Sequence, residues 1–289
     1  MLINAMRVSV VIPAYNEEAV IGVVLTALKA VNEVDEIIVV DDGSNDRTVE
    51  VVASFPEVRL ICHPYNIGNG AAVKSGIRAV TGDVVVLMDG DGQHPPQEIP
   101  KLLQHIGPYD MVVGARSALS QAARHRSLAN WVFSSYASYI VGYRVPDLTS
   151  GFRALRAPIA RSFLYLLPNG FSHPTTLTIA FFRAGYAVKY LPFVSPARVG
   201  TSKIRPLQDG FRFLLTLTRL AVLFVPLKIF LPVSLLLTLS GGGYVLANLA
   251  LERRFSGFGG LIFTIGVFIF MLGLVSEQIA MLRLVNSER

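Results

Sequence analysis

The chain has 289 residues, a formal net charge of +6, 52% apolar residues and only 16% charged residues. The length leaves room for one sizeable domain and something smaller, and the composition is too apolar for an ordinary soluble domain. Cys62 is the single cysteine, which excludes an intrachain disulfide. With no apolar run of signal-peptide length before Val8, the N-terminal domain is expected in the reducing cytoplasm.

Strand-like and helix-like patterns alternate from the start. Val8–Ile12 reads as a first strand, Glu17–Lys29 as a helix, and Glu36–Val40 as a second strand. The turn Asp41–Asp46 follows, with Ser44 or Asn45 placed to cap a helix that runs through Ser54. Val58–Cys62 is a third strand, Asn69–Val80 a helix and Asp83–Met88 a fourth strand. A short helix after Pro95-Pro96, a strand at Met111–Gly114 and a helix over Leu128–Tyr139 complete the regular part. From Arg144 to Lys203 the pattern is mixed. Repeated βα units imply a mostly parallel sheet between helices.

The apolar excess gathers after Phe211. Between Ile204 and Leu220, Arg205, Gln208, Asp209, Arg212, Thr216 and Arg219 recur at three- and four-residue spacing. Leu207, Phe211, Leu214, Leu215 and Leu217 lie mostly opposite, which is the pattern of a helix in a membrane interface. A helix packed on the domain's own core would show the same stripe. Ile229–Ala250 carries no charge and would run about 33 Å as a helix, enough to cross the hydrocarbon. Ser256–Ser276 is also uncharged, and Leu251–Phe255 forms the turn between them. The expected division is a domain over 1–203, an interfacial segment over 204–227 and a transmembrane hairpin over 228–289. Arg198, Lys203, Arg205, Arg212, Arg219 and Lys228 precede the first span, Arg283 and Arg289 follow the second, and only Arg253 and Arg254 lie between. This asymmetry places both termini in the cytoplasm. Because the basic residues flank the apolar tail and no nucleic-acid motif is present, the expected partners are anionic or phosphorylated lipids, not nucleic acid.

The chemistry concentrates at Val84–His94, a buried-strand pattern that runs into two carboxylates. Asp89 and Asp91, with Gln93 behind them, can converge oxygen ligands on Mg²⁺ or Mn²⁺, whose shell a substrate diphosphate would complete. Asp-Gly-Asp-Gly is also ordinary turn chemistry. A calcium loop fits poorly, since His94 and Pro100 stand where Gly and Glu are needed. Two further loops end strands on the same side of the expected sheet: Pro13-Ala14-Tyr15-Asn16-Glu17-Glu18 and Asp41–Asp46. Tyr15 offers a face for stacking on a base, and Glu17 and Asp42 offer acceptors for base or ribose. Each loop alone also reads as a helix start or a turn.

In these residues the chain resembles the family 2 glycosyltransferases of the GT-A fold. The resemblance rests on Pro13–Glu17, on Asp41-Asp-Gly-Ser-x-Asp-x-Thr48, on Asn66-Ile-Gly-Asn-Gly-Ala71 with Lys74, and on Asp89-Gly-Asp91. It implies an α/β, Rossmann-like, mostly parallel catalytic domain whose loops hold a nucleotide diphosphate-sugar and its Mg²⁺ or Mn²⁺. It thus implicates Pro13, Ala14, Tyr15, Glu17, Asp42, Gly68 and Asp89 on the donor, and Asp89, Asp91 and Gln93 on the metal. Lys74 would lie near the diphosphate, although an exposed helix lysine reads the same way. Asp89-x-Asp91-x-Gln93-His94-Pro95 is similar to the branch that loads sugars onto polyprenyl phosphates, whose bacterial members also end in an interfacial helix and a transmembrane hairpin. Within that branch, Arg116, Arg126 and Asn130 resemble an acceptor-phosphate site, and Arg198 and Lys203 a loop that closes over it. Arginine's planar fork suits phosphate oxygens, while basic residues of this kind also decorate membrane-facing surfaces.

The reaction implied is metal-dependent, inverting transfer of a hexose from GDP-mannose or UDP-glucose to dolichyl or undecaprenyl phosphate at the cytoplasmic leaflet, by an integral membrane protein that can form a homo-oligomer. Asp89, Asp91, Arg116 and Arg126 would carry it. A processive polysaccharide synthase is the second reading, but Gln121-Ala-Ala-Arg124 is followed by His125 where that class has Trp. A non-catalytic nucleotide-sugar-binding membrane adaptor is the third, opposed by the intact Asp89, Asp91 and Gln93. The dinucleotide fingerprint fails, because Val73 stands where its third Gly is needed. Asp147–Arg153 resembles a family segment to which the sequence assigns no role.

Overall fold

A computed structural model describes residues 6–117, 124–170, 172–196 and 206–287, and only the backbone for 124–130, 206–213 and 283–287. The chain divides into two compact units, Met1–Phe213 and Leu214–Arg289.

In the first unit, seven strands form one sheet: β1 Val8–Ala14, β2 Glu36–Asp41, β3 Val58–Cys62, β4 Val84–Leu87, β5 Met111–Arg116, β6 Arg153–Arg156 and β7 Val188–Phe193. Their order is β3-β2-β1-β4-β6-β5-β7. All neighbours pair in parallel except β6, which is antiparallel to both β4 and β5. β1 is buried along its whole length and β4 likewise, because helices cover both faces of the sheet and leave no face for alternating polar residues. The helices of this unit are α1 Ile21–Lys29, α2 Thr48–Ala53, α3 Asn69–Ala79, α4 Ile99–Leu103, α5 Arg124–Val141, α6 Ala157–Ser162 and α7 His173–Arg183. One core cluster joins Val10 and Ile12 of β1, Val39 of β2, Ile21, Leu25 and Leu28 of α1, and Ile99 and Leu102 of α4. Since β1, β2 and β4 lie side by side and parallel, the loops that leave their C-terminal ends gather at one edge of the sheet, where open α/β sheets hold ligands.

Two expectations shift. The helix expected from Glu17 begins at Ile21, because the backbone N–H groups of Asn16, Glu17 and Glu18 are hydrogen-bonded to the neighbouring loop. The α2 helix starts at Thr48, where Asp46 Oδ1, not Ser44 or Asn45, accepts the Thr48 N–H at 3.0 Å. Ser44 and Asn45 are occupied with Asn16 instead.

Helix α8, Pro206–Phe224, covers most of the expected amphipathic stretch, and the expected limit at 203 lies outside the described residues. In the second unit, α9 Pro226–Glu252 and α10 Gly257–Ser287 form an antiparallel hairpin, both long and apolar enough to cross a membrane. Their outward side chains are large and apolar, among them Leu236, Leu246 and Phe268, about two-thirds exposed. The inner seam is built from small residues at heptad spacing, Gly259, Gly266 and Gly273 on α10 against Ser234 and Gly241 on α9. A Cβ on Gly273 would stand 2.8 Å from Phe230 Cβ, so only glycine lets the helices approach this closely. At the open end the Leu227 N–H donates to Glu277 Oε2 at 3.2 Å.

Candidate active site

Hydrogen bonds join the loops after β1 and β2 into one lattice. Asn16 adopts φ 56°, a left-handed conformation that Asn tolerates better than most residues. From there its N–H donates to Ser44 Oγ (2.9 Å) and its Oδ1 accepts the Asn45 N–H (2.9 Å). The Glu17 N–H donates to Thr48 Oγ1 (2.9 Å), and Glu18 Oε2 accepts the Arg47 N–H (2.9 Å). Ala14 O accepts the Asp42 N–H at 2.8 Å, which ties the two strand ends together. Pro13 and Ala14 are buried in the floor of this lattice, while Tyr15 stands exposed beside it.

Asp42 is buried, and its carboxylate organises the loop that follows β3. Oδ1 accepts the Ile67 N–H (3.0 Å) and lies 2.7 Å from His63 Nδ1; Oδ2 accepts the Gly68 N–H (2.8 Å). His63 Nε2 continues the chain to Ser75 Oγ at 2.9 Å. Gly68 takes φ 124°, which L side chains rarely adopt, and opens α3 there. Lys74 of α3 donates through Nζ to Asn169 Oδ1 (2.5 Å) and Leu167 O (3.2 Å), anchoring that helix to residues 167–170. Burial, and then the charge of Arg78, hold the Lys74 pKa below its ordinary value.

The acidic loop leaves β4 between these loops and the rear of the domain. Asp91 Oδ1 accepts the Gln93 N–H at 3.1 Å, and Ser195 Oγ donates to Gln93 O at 3.0 Å. The Asp89 N–H donates to His94 Nδ1 at 2.9 Å, so Nε2 carries the ring proton. The His94 ring stacks on Phe152 (centroids 5.3 Å apart, 19° between planes) and meets the edge of Phe193 at 6.1 Å. Burial pushes its pKa down to about 4 against the opposing charge of Asp91. The imidazole is therefore neutral at pH 7, and its 3.8 Å approach to Asp89 Oδ2 is not an ion pair. A Cβ on Gly151 would lie 3.0 Å from Asp89 Oδ2, so this glycine gives the carboxylate its place.

Among the described residues no three His, Cys, Asp or Glu side chains gather as a metal cage. Two carboxylates and one amide oxygen on a single turn nonetheless fit a hard cation that takes its other ligands from substrate phosphate and water, the habit of Mg²⁺.

Behind the loop lies a set of charges, Asp147 and Arg153 buried and Arg116 half-buried. Arg116, at the end of β5, closes its fork on Asp147: Nε to Oδ2 at 2.8 Å and Nη2 to Oδ1 at 2.9 Å, with Thr149 Oγ1 at 2.6 Å from Nη2. Burial works against the charge of Asp147, but its hydrogen bonds from Arg116 outweigh it and hold the carboxyl below its ordinary pKa. For Arg116 the opposition of burial is overcome by Asp147 and then by the charges of Asp89 and Asp91, so its pKa is raised. Arg153 is fully buried; it donates to Pro174 O (2.9 Å), Thr178 Oγ1 (3.3 Å) and Ser150 O. Burial lowers its pKa to about 10, which leaves it charged at neutral pH.

The sheet thus brings Pro13, Ala14, Tyr15, Glu17, Asp42 and Gly68 to one edge with Asp89, Asp91 and Gln93, and the charges of Asp89 and Asp91 act on Arg116. Arg126 and Asn130 lie in the first turns of α5, where only the backbone is described, and Arg198 and Lys203 lie outside the described residues. Sequence reasoning gave no role to His94, Gly151, Phe152 or Arg153. For the last three the signal was a charged residue and a glycine inside Ser150-Gly-Phe-Arg153, a pattern that reads as a broken strand.

Residues 9–164 match the sequence model of Glycosyl transferase family 2. The chain belongs to that family. Residues 225–282 match a second model, the GtrB C-terminal hairpin. Among family 2 relatives, the undecaprenyl-phosphate mannosyltransferase of Micrococcus luteus is 30% identical over 213 residues, covering 69% of this chain and 88% of that protein. The undecaprenyl-phosphate 4-deoxy-4-formamido-L-arabinose transferase of Pectobacterium atrosepticum is 35% identical over 193 residues, 61% of this chain. The match spans 59% of the length of that relative. The glucosyl-3-phosphoglycerate synthase of Mycobacterium tuberculosis, solved with Mn²⁺, UDP-glucose and phosphoglyceric acid, superposes with a TM-score of 0.61 at 25% identity. It covers 75% of this chain, which in turn covers 80% of it. These neighbours share the GT-A fold with the family 2 domain described above.

Proposed function

We propose that this protein transfers a hexose, mannose from GDP-mannose or glucose from UDP-glucose, to a polyprenyl phosphate at the cytoplasmic leaflet, with Mg²⁺ or Mn²⁺ and with inversion at the anomeric carbon. The observation that carries the reading is the acidic loop Asp89–Gln93 at a parallel strand end, in a family 2 chain that ends in an apolar hairpin. The names of the two bacterial relatives support a polyprenyl-phosphate acceptor, and the Mn²⁺ complex of the fold neighbour supports a divalent cation.

The roles follow from the chemistry each residue offers. Tyr15 stacks on the nucleoside, Glu17 accepts from it, and the lattice held by Asp42 and Gly68 shapes its pocket, with Lys74 fixing α3 beside it. Asp89, Asp91 and Gln93 would hold the cation. When bound, it offsets the charge that builds on the diphosphate as the bond to the sugar breaks. The lipid phosphate needs no protein base, since its second pKa is near 6 and it is largely ionised at neutral pH. Its oxygen attacks the anomeric carbon from the face opposite the leaving nucleoside diphosphate. Arg116, Arg126 and Asn130, with Arg198 and Lys203, hold and orient that phosphate. A prenyl chain stays in the bilayer, so the domain over 1–203 must come to it through the segment over 204–227 and the hairpin over 228–289. The outward face of α5, with Trp131, Val132 and Tyr139 exposed, and Tyr143 just beyond its end, supports a seat at the interface, where aromatic side chains concentrate.

The test is a panel of labelled donors, GDP-mannose, UDP-glucose and a UDP-linked modified pentose, offered to the purified full chain with undecaprenyl or dolichyl phosphate. Label from one hexose donor entering the lipid fraction is the expected result. Label only from the pentose corrects the sugar, and label released as free sugar or not at all overturns the proposal.

A further inference from the structure

The acidic loop contains Gly90 and Gly92, the latter at φ 77°, and glycines leave a loop the most backbone freedom to lose. Carboxylates that must converge on one cation cannot keep that freedom. Three bonds remove it: Asp91 Oδ1 to the Gln93 N–H within the loop, Ser195 Oγ to Gln93 O outside it, and His94 Nδ1 to the Asp89 N–H across its full width. The last bond closes residues 89–94 into a ring.

We infer that His94 is the positioning residue of this loop: gripped by Phe152 and Phe193, its Nδ1 fixes the backbone that carries Asp89. The inference rests on the metal reading proposed above and deepens it. An imidazole suits the place because its faces are apolar enough to stack while its edge accepts a hydrogen bond. A buried polar ring in an aromatic sandwich is costly without such a bond. Phe152 follows Gly151, which meets the Asp89 carboxylate from behind, and precedes Arg153, which holds Ser150 O and the start of α7. The segment 147–153 is thus a back wall. It touches the carboxylate through Gly151 and the backbone of the same residue through Phe152 and His94.

The experiment titrates Mn²⁺ by EPR into the purified full chain with UDP or GDP present, for wild type, His94→Leu, His94→Asn and Phe152→Leu. Partners that orient a metal ligand are worth about 10–100-fold in metal affinity. His94→Leu should therefore bind Mn²⁺ about tenfold or more weakly. His94→Asn, whose Oδ1 stands where Nδ1 did, should recover most of the loss. Phe152→Leu should weaken binding in the same direction but less, and it carries the test should His94→Leu not fold. Raising Mn²⁺ should restore the transfer rate of His94→Leu, which a merely structural lesion would not allow. Wild-type affinity in His94→Leu or in Phe152→Leu, or a His94→Asn variant as weak as His94→Leu, overturns the inference and leaves the metal reading standing. Failure of wild type itself to bind Mn²⁺ with either nucleotide overturns both.

Discussion

The front and the rear of the catalytic unit are built on opposite principles. In front, the loops after β1, β2 and β4 are short and partly exposed, the latter two carry glycine, and their backbone N–H groups are held by side chains of the same or a neighbouring loop. At the rear, Asp147, Arg153 and Phe152 are buried, and the charges are paired or bonded inside the protein. In the proposed mechanism the front presents chemistry to a ligand and the rear holds it still. On that reading, carboxylates on a glycine-bearing turn depend on packed partners distant in sequence.

The sharpest way to break this contrast is at the front. Asp91→Ala should reduce turnover by about a thousandfold or more, the scale of several kcal/mol of lost charge stabilisation, while the melting temperature of the folded chain stays close to wild type. Near-normal turnover in that variant would remove the division of labour.

At the rear the expected loss is in stability. Arg116→Met leaves Asp147 buried without its fork and should cost about 3 kcal/mol, read from urea unfolding. Replacing Asp147 by Leu in the same chain should recover most of that stability. Transfer should not recover with it, since Arg116 also serves the acceptor phosphate in the proposed mechanism. Recovery of both would make the pair purely structural.

Gly151→Ala sits where front meets rear. The added methyl would press on Asp89 Oδ2 from 3.0 Å, and a small overpacking of this kind costs about 1 kcal/mol or slightly more. The expected readout is a raised Mn²⁺ requirement together with a loss of about 1 kcal/mol in unfolding stability.

An effect absent at neutral pH and confined to acid concerns His173 at the start of α7. Burial, and then the charge of Arg153, push its pKa down to about 3 from 6.5. Between those values the unfolded chain binds a proton that the folded chain does not, so stability falls as pH drops from about 6.5 toward 3. His173→Gln should lower the slope of unfolding free energy against pH by about one proton in that window. An unchanged slope would mean that the ring is already charged in the folded state.

The front was largely legible in the sequence, and the rear was not. Val8–Ile12, Glu36–Val40 and Val58–Cys62 are apolar runs of strand length, and the turn residues after the first two are the donor-loop candidates themselves. The first helix was placed too early, because Glu17 and Glu18 look like a helix start but serve the loop lattice. From Arg144 onward the signals conflict. β6 is four residues long with arginines at both ends, Arg153 and Arg156, and β7 carries Lys189 and Pro192 at the edge of the sheet. α7 opens with His-Pro-Thr-Thr yet is buried there, where Arg153 donates to Pro174 O and, one turn on, to Thr178 Oγ1. For Arg153, Arg156 and Lys189 a partner distant in sequence satisfies a side chain that local patterning reads as exposed. The hairpin was legible by hydropathy, whereas the heptad of Gly259, Gly266 and Gly273 acquires its meaning only from the helix opposite.

The central claim is tested most directly by following sugar transfer to polyprenyl phosphate while the divalent cation is removed and returned, with the donor that the panel selects. The account predicts that exhaustive chelation reduces transfer to background and that added Mg²⁺ or Mn²⁺ restores it. Undiminished transfer under chelation would contradict it.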